Sequence, residues 1–150
     1  LASSDSFFCI QEINIGMAAD VGTLQRLPKI IPDSKMREMA YTGRRMHAPE
    51  SKETGLVSDV YESQEAMLSA ANDLAKEIAS KSPVAIYGLK AVMNYSRDHS
   101  VSDGLDYNAL WSGAMLSQKD MTEAMTANME KREASFNELV DVKKFNESKS

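Results

Sequence analysis

Two carboxylates, Glu12 and Asp20, stand eight positions apart around a mostly apolar stretch: Ile13, Ile15, Met17, Ala18 and Ala19, with Ile10 just before it. In an apolar pocket, burial and mutual repulsion push the pKa values of two carboxyls apart. One can then remove a proton as a base while the other delivers one as an acid. A strand-loop-helix turn can bring residues at this separation to face one cleft. A plainer reading stands beside that one. Glu12 would be a solvated residue at a strand end, and Asp20 the N-cap of a short helix. Spacing alone favours the plainer reading.

The remaining chemistry-bearing residues point less far. His47 follows Arg44-Arg45-Met46 and reads as an exposed loop histidine; His99 follows Arg97-Asp98 between two helices and reads as a cap. Two histidines so placed, without ligand spacing, make no metal site. Cys9 is the single cysteine, so no internal disulfide or multi-cysteine metal site exists. It sits in an apolar run and reads as a small hydrophobe. Lys131-Arg132 reads as a solvated face or a phosphate contact. The Gly16 to Gly22 stretch has neither a phosphate-loop nor a dinucleotide pattern.

The elements that must position these groups fall into textures. Residues 1–62 mix apolar runs with Gly and Pro; residues 63–136 are long, Ala- and Met-rich and periodic; residues 137–150 form a polar tail. Phe7-Phe8-Cys9-Ile10 reads as a buried strand whose candidate partner is Leu56–Tyr61. An unpaired strand leaves backbone groups unsatisfied, so part of a sheet is expected to lie elsewhere. Ile13–Gly16 reads as extended chain or loop, and Asp20–Leu27 as a short helix ended by Pro28. Ser34 to Tyr41 reads as a helix stopped by Gly43, and Ala48-Pro49-Glu50 opens another. Met67, Ala70, Ala71, Leu74 and Ile78 repeat at helical spacing. Ser82-Pro83 restarts the chain as N-cap and first turn of a helix to about Tyr95. Ser100 with Asp103, and Ser117 with Asp120, fit capping boxes. Met121, Met125 and Met129 form a stripe expected in the core or at a subunit contact.

Composition bounds the function. The chain has 150 residues, 17 basic and 22 acidic side chains and a formal charge of −5, with 43% hydrophobic residues. That is ordinary globular composition for one domain's length. The acidic balance argues against nucleic-acid binding, though a local basic cluster can still hold an anion. No apolar run is long enough to span a membrane.

Gln11-Glu12-Ile13-Asn14-Ile15-Gly16 resembles the Pro-Glu-x-x-x-Gly element of the crotonase (enoyl-CoA hydratase/isomerase) superfamily. The likeness continues through Gly22–Pro28, Tyr41-Thr42-Gly43-Arg44, Gly55-Leu56-Val57-Ser58 and Met129-Glu130-Lys131-Arg132, covering roughly residues 1–136. Ala18–Pro28, Ser96–Val101 and Leu105-Asp106-Tyr107 are closest to its Δ3,5-Δ2,4-dienoyl-CoA isomerase branch, in which an acid stands at the position of Asp20. The hydratase has a small residue there.

The resemblance implies an α/β fold class: the C-terminal part of a crotonase (ββα spiral) core over 1–81, then a helical trimerisation region over 82–136. It implies isomerisation of 3,5-dienoyl-CoA to 2,4-dienoyl-CoA in fatty-acid β-oxidation. Asp20 would be the base at C2 and Glu12 the acid at C6. Lys131 would stand near the CoA adenosine phosphate, while Asn128 replaces an aromatic that lies next to the adenine in the hydratase. No metal or redox cofactor is implied; the CoA thioester is the substrate. The family's oxyanion-hole loop, Gly-Gly-Gly element and third active-site Asp precede the element at Glu12. The N-terminal half of the same protein is therefore an expected partner, and residues 1–150 alone are expected to be inactive. A homotrimer or dimer of trimers and a mitochondrial or peroxisomal location are implied as well. Ser148-Lys149-Ser150 is near, but is not, the peroxisomal Ser-Lys-Leu address. The rival readings are enoyl-CoA hydration or another crotonase reaction, and a catalytically inactive or interaction protein.

Overall fold

The computed structural model describes residues 1–139; the polar tail expected over 137–150 lies outside them from residue 140 onward. The chain divides into two compact units, Leu1–Asp73 and Leu74–Ser150. The elements are β1 (Ala2–Ser3), β2 (Phe7–Phe8), α1 (Thr23–Arg26), α2 (Asp33–Thr42), β3 (Met46–His47), α3 (Ala48–Glu53), β4 (Val60–Tyr61), α4 (Gln64–Ala79), α5 (Pro83–Ser96), α6 (Val101–Met115) and α7 (Gln118–Glu130). No helix among the described residues is long and apolar enough to cross a membrane.

The first unit holds two short ladders. β1 pairs parallel with β4, Ala2 opposite Val60; β2 pairs antiparallel with β3, Phe7 opposite His47 and Phe8 opposite Met46. The expected strand over residues 7–10 is thus shorter, and its partner is not the 56–61 segment. The reason lies at Gly43. It ends α2 in the left-handed conformation (φ 61°) and turns the chain so that Met46-His47 runs back along Phe7-Phe8. After Phe8 the chain does not stay extended. Residues Glu12–Ile15 wind into a 3-10 turn closed by Gly16 at φ 74°, where the sequence suggested extended chain or loop.

Ile10, Ala19, Ile31, Met36, Met39 and Met46 form the main buried cluster, and Ala2, Ala48 and Val57 a second one. Buried Ser51 donates its hydroxyl to the Ala48 carbonyl at 2.7 Å, and its own carbonyl accepts from the backbone N–H groups of Leu56 and Val57. This fastens the chain after α3 without leaving a buried polar group unpaired. An ion-pair cluster ties α2 to α3. Arg44 donates bidentately to Glu38 and to Glu50, and Lys35 reaches Glu50 at 3.1 Å.

The second unit is built on α5 to α7. Ser82 caps α5 by accepting from the Ala85 N–H, and Pro83 follows in the first turn, as the sequence indicated. Ser100 and Asp103 form the reciprocal capping box at α6. The second box is only half made. Ser117 accepts from the Asp120 N–H, but the Asp120 carboxylate accepts a hydrogen bond from the Ser82 hydroxyl instead of returning to its own N-cap. A local motif has been diverted into a tie between the starts of α5 and α7. α5 and α6 pack through stacked Tyr95 and Tyr107, 4.3 Å between ring centroids. The indole of Trp111 lies so close to Gly88 that a Cβ there would collide with it.

Candidate active site

The stretch carrying both carboxylates leaves the main cluster at Ile10 and returns to it at Ala19; both residues are under 10% exposed. Glu12 lies two positions after the first anchor and Asp20 one after the second. Each carboxylate therefore follows closely, along the chain, a residue anchored in one buried cluster. Glu12 opens the 3-10 turn, its carbonyl accepting from the Met17 N–H at 3.0 Å. A 3-10 turn points successive side chains about 120° apart. Asn14 goes back against Gly43, where a Cβ would come within 2.5 Å of the amide.

Asp20 is not an N-cap. The residue before α1 is Gly22, left-handed at φ 90°, and no side chain caps that helix. The capping explanation for Asp20 is removed. Asp20 is exposed, Glu12 half-buried, and neither carboxylate has a hydrogen-bond or ion-pair partner among the described residues. The apolar wall expected around them is only partly present. Ile10 and Ala19 are buried, but Ile13, Ile15 and Met17 are 42%, 69% and 49% exposed. The turn lifts these side chains off the cluster, so no neighbour within the described residues covers them.

The other candidates separate cleanly. Lys131 caps the C-terminus of α7 in the left-handed conformation, φ 54° and ψ 41°, with its side chain exposed. Its neighbour Arg132 is occupied. Arg132 donates bidentately to Glu123 at 2.6 and 3.0 Å and to Glu130 at 2.6 Å. The guanidinium holds the Glu123 carboxyl well below the usual range, at about 2. The basic pair seen in sequence is thus one tied and one available cation, a distinction invisible until Glu123, two turns back, is seen to close on Arg132. His99 presents Nδ1 to the Tyr95 carbonyl at 2.7 Å and stacks on the Tyr95 ring, which suits a cap. His47 is exposed, on β3 rather than in a loop. Cys9 is a free thiol, half-buried, 3.6 Å from the Gln11 side-chain oxygen. Among the described residues no three His, Cys, Asp or Glu side chains are grouped to hold a metal.

Helices α5 to α7 enclose an open apolar groove of about 520 Å³ lined by Val84, Leu89, Val92, Trp111, Met115 and Met121 among others. The methionine stripe does not enter the core. Met121, Met125 and Met129 are 47%, 66% and 84% exposed.

The family model described as enoyl-CoA hydratase/isomerase matches residues 1–139. The chain belongs to that family. Among curated relatives it is 50% identical over 132 residues to the mitochondrial Δ(3,5)-Δ(2,4)-dienoyl-CoA isomerase of Mus musculus, covering 87% of this chain and 40% of the relative. To the peroxisomal Δ(3,5)-Δ(2,4)-dienoyl-CoA isomerase of Arabidopsis thaliana it is 44% identical over 137 residues, covering 91% and 49%. Among solved structures, an enoyl-CoA hydratase from Mycobacterium tuberculosis H37Rv superposes with a TM-score of 0.83 at 31% identity, covering 90% of this chain and 53% of that one. The family's α/β fold is therefore shown, and the chain spans a little under half the length of the curated relatives it matches.

Proposed function

We propose that this chain is part of a dienoyl-CoA isomerase, which moves the double bonds of a 3,5-dienoyl-CoA to the 2,4 positions. The observation that carries the reading is the placement of Asp20. It directly follows Ala19 of the buried cluster and has no capping or ion-pairing role of its own among the described residues. The 50% identity to a relative named for this reaction supports it.

The chemistry follows from the substrate. The thioester carbonyl acidifies the protons on C2, so a carboxylate can remove one without a metal. Asp20 takes that proton. The negative charge spreads through the conjugated chain to the thioester oxygen, where two backbone N–H groups would hold it. Glu12, protonated, delivers a proton at C6, and the double bonds settle at 2,4. Two separated acids suit a transfer along the acyl chain; hydration needs both around one water. Lys131 is the proposed contact for the CoA adenosine phosphate.

Ile13, Ile15 and Met17 need a cover for the carboxyls to sit in a low dielectric, and two-stranded ladders are marginal by themselves. Both considerations support a partner: the remaining part of a polypeptide of the relatives' length, supplying further sheet and the N–H pair. We further propose a core part over 1–81 followed by a trimerisation region over 82–136, a mitochondrial or peroxisomal location, and a place in fatty-acid β-oxidation. The relatives' names support the location.

Asp20→Asn in the full-length protein tests the assignment. The conjugated 2,4-dienoyl thioester absorbs where the 3,5-isomer does not, so turnover is read directly. Loss of roughly 10²–10⁴-fold in kcat is expected for a positioned base; full retained activity would overturn the reading. The likeness to an enoyl-CoA hydratase structure favours hydration as the second reading. Water addition to a 2-enoyl-CoA by the wild-type protein, without diene formation, would select it.

A further inference from the structure

Lys131 is the only non-glycine residue with a positive φ among the described residues. That conformation crowds a side chain against the backbone, and helices usually place glycine or asparagine there. A residue held in it against preference calls for surroundings that over-determine it. The end of α7 supplies those surroundings. The backbone N–H groups of Lys131 and Arg132 return to the carbonyls of Asn128 and Ala127. The Arg132 side chain reaches back to Glu123 through two N–H groups and to Glu130 through a third, while it also donates to the Glu133 carbonyl. Glu123 in turn accepts from the Ser135 N–H at 2.8 Å. One carboxylate thus fastens both sides of the turn to the body of α7. Of the two cations in the turn, the Lys131 ammonium is the one left without a hydrogen bond or ion pair among the described residues.

We infer that Glu123 and Arg132 are positioning residues: their clasp fixes the left-handed turn so that the Lys131 ammonium projects as a preset site for the adenosine phosphate of a CoA thioester. The inference rests on the reading of Lys131 given above and adds the device that presents it. A flexible lysine loses rotamer freedom on binding, and a fixed backbone origin lowers that loss. Neither clasp residue touches substrate; the effect passes through Lys131.

The test compares two substrates on the full-length protein, a dienoyl-CoA and its 3′-dephospho analogue. Lys131→Met should raise KM for the first about tenfold, the scale of one charge-assisted hydrogen bond, and leave the second unchanged. Glu123→Gln and, independently, Arg132→Met should reproduce that selectivity with kcat unaltered, and should add little when combined with Lys131→Met. An increase in KM for Lys131→Met with none for either clasp variant overturns the clasp alone. An unchanged KM in Lys131→Met removes the Lys131 reading and the clasp with it. Equal losses on both substrates, or a fall in kcat, mark the clasp as merely structural and overturn the inference. Unfolding midpoints of each variant, measured alongside, identify that last case.

Discussion

At the scale of residues, the two carboxylates differ in how they are held. Glu12 is fixed by a hydrogen-bonded turn; Asp20 follows a buried alanine and precedes a left-handed glycine. The roles proposed for them, at C6 and C2, predict separable phenotypes. With the reaction run in heavy water, Glu12→Gln should lose isomerisation while retaining exchange of the C2 proton, because the proposed base, Asp20, is still present. Asp20→Asn should lose both. NMR of the recovered substrate reads C2 exchange, and the reverse pattern would swap the assignments of acid and base. The sequence displayed both residues and even their apolar neighbours. What it could not display was that Asp20 does no capping, since that depends on where α1 begins.

At the scale of elements, α2 and α3 are tied through charge. Hydrogen bonds from the Arg44 guanidinium, then from Lys35, pull the Glu50 carboxyl from its ordinary 4.5 down to about 2. The folded state therefore binds fewer protons at this site than the unfolded chain does between those values. The contribution is full above about 4.5 and fades as the pH falls towards 2. Glu50→Gln should lower stability near neutral pH by about 1 kcal/mol, the upper range for a partly exposed pair. The wild-type advantage should vanish on acidification. Denaturant titrations of the full chain at several pH values check this, and a pH-independent difference would refute it. The cluster was not legible in sequence, because Lys35 and Glu38 lie in α2, Arg44 just beyond it and Glu50 in α3, and their approach depends on the turn at Gly43. The capping box at Ser100 was legible, because every atom in it lies within four residues. The half-made box at Ser117 shows where local logic stops: Ser82, far away in sequence, competes for the same carboxylate.

At the scale of the whole molecule, the exposed apolar side chains need an account. Leu105, Leu110, Met125 and Met129 are each more than 60% exposed, and patches of this kind mark association surfaces. The proposed trimer would cover them. Leu110→Glu combined with Met125→Glu should leave the fold of a single chain nearly unchanged, as surface substitutions do. It should reduce the assembled mass of the full-length protein to that of one chain, as read by analytical ultracentrifugation. An unaltered oligomer mass would exclude this face.

The sequence by itself determined the family, the glycine that stops α2 and the serine caps of α5 to α7. All of these are set by residue type at short range or by an ordered run of motifs. Only the tertiary structure decided which strands pair, that residues 12–15 wind into a turn, that the methionine stripe faces outward, and that Arg132 is tied while Lys131 is not. Each of those depends on groups distant along the chain competing for one partner, and the winner is set by how the chain returns on itself.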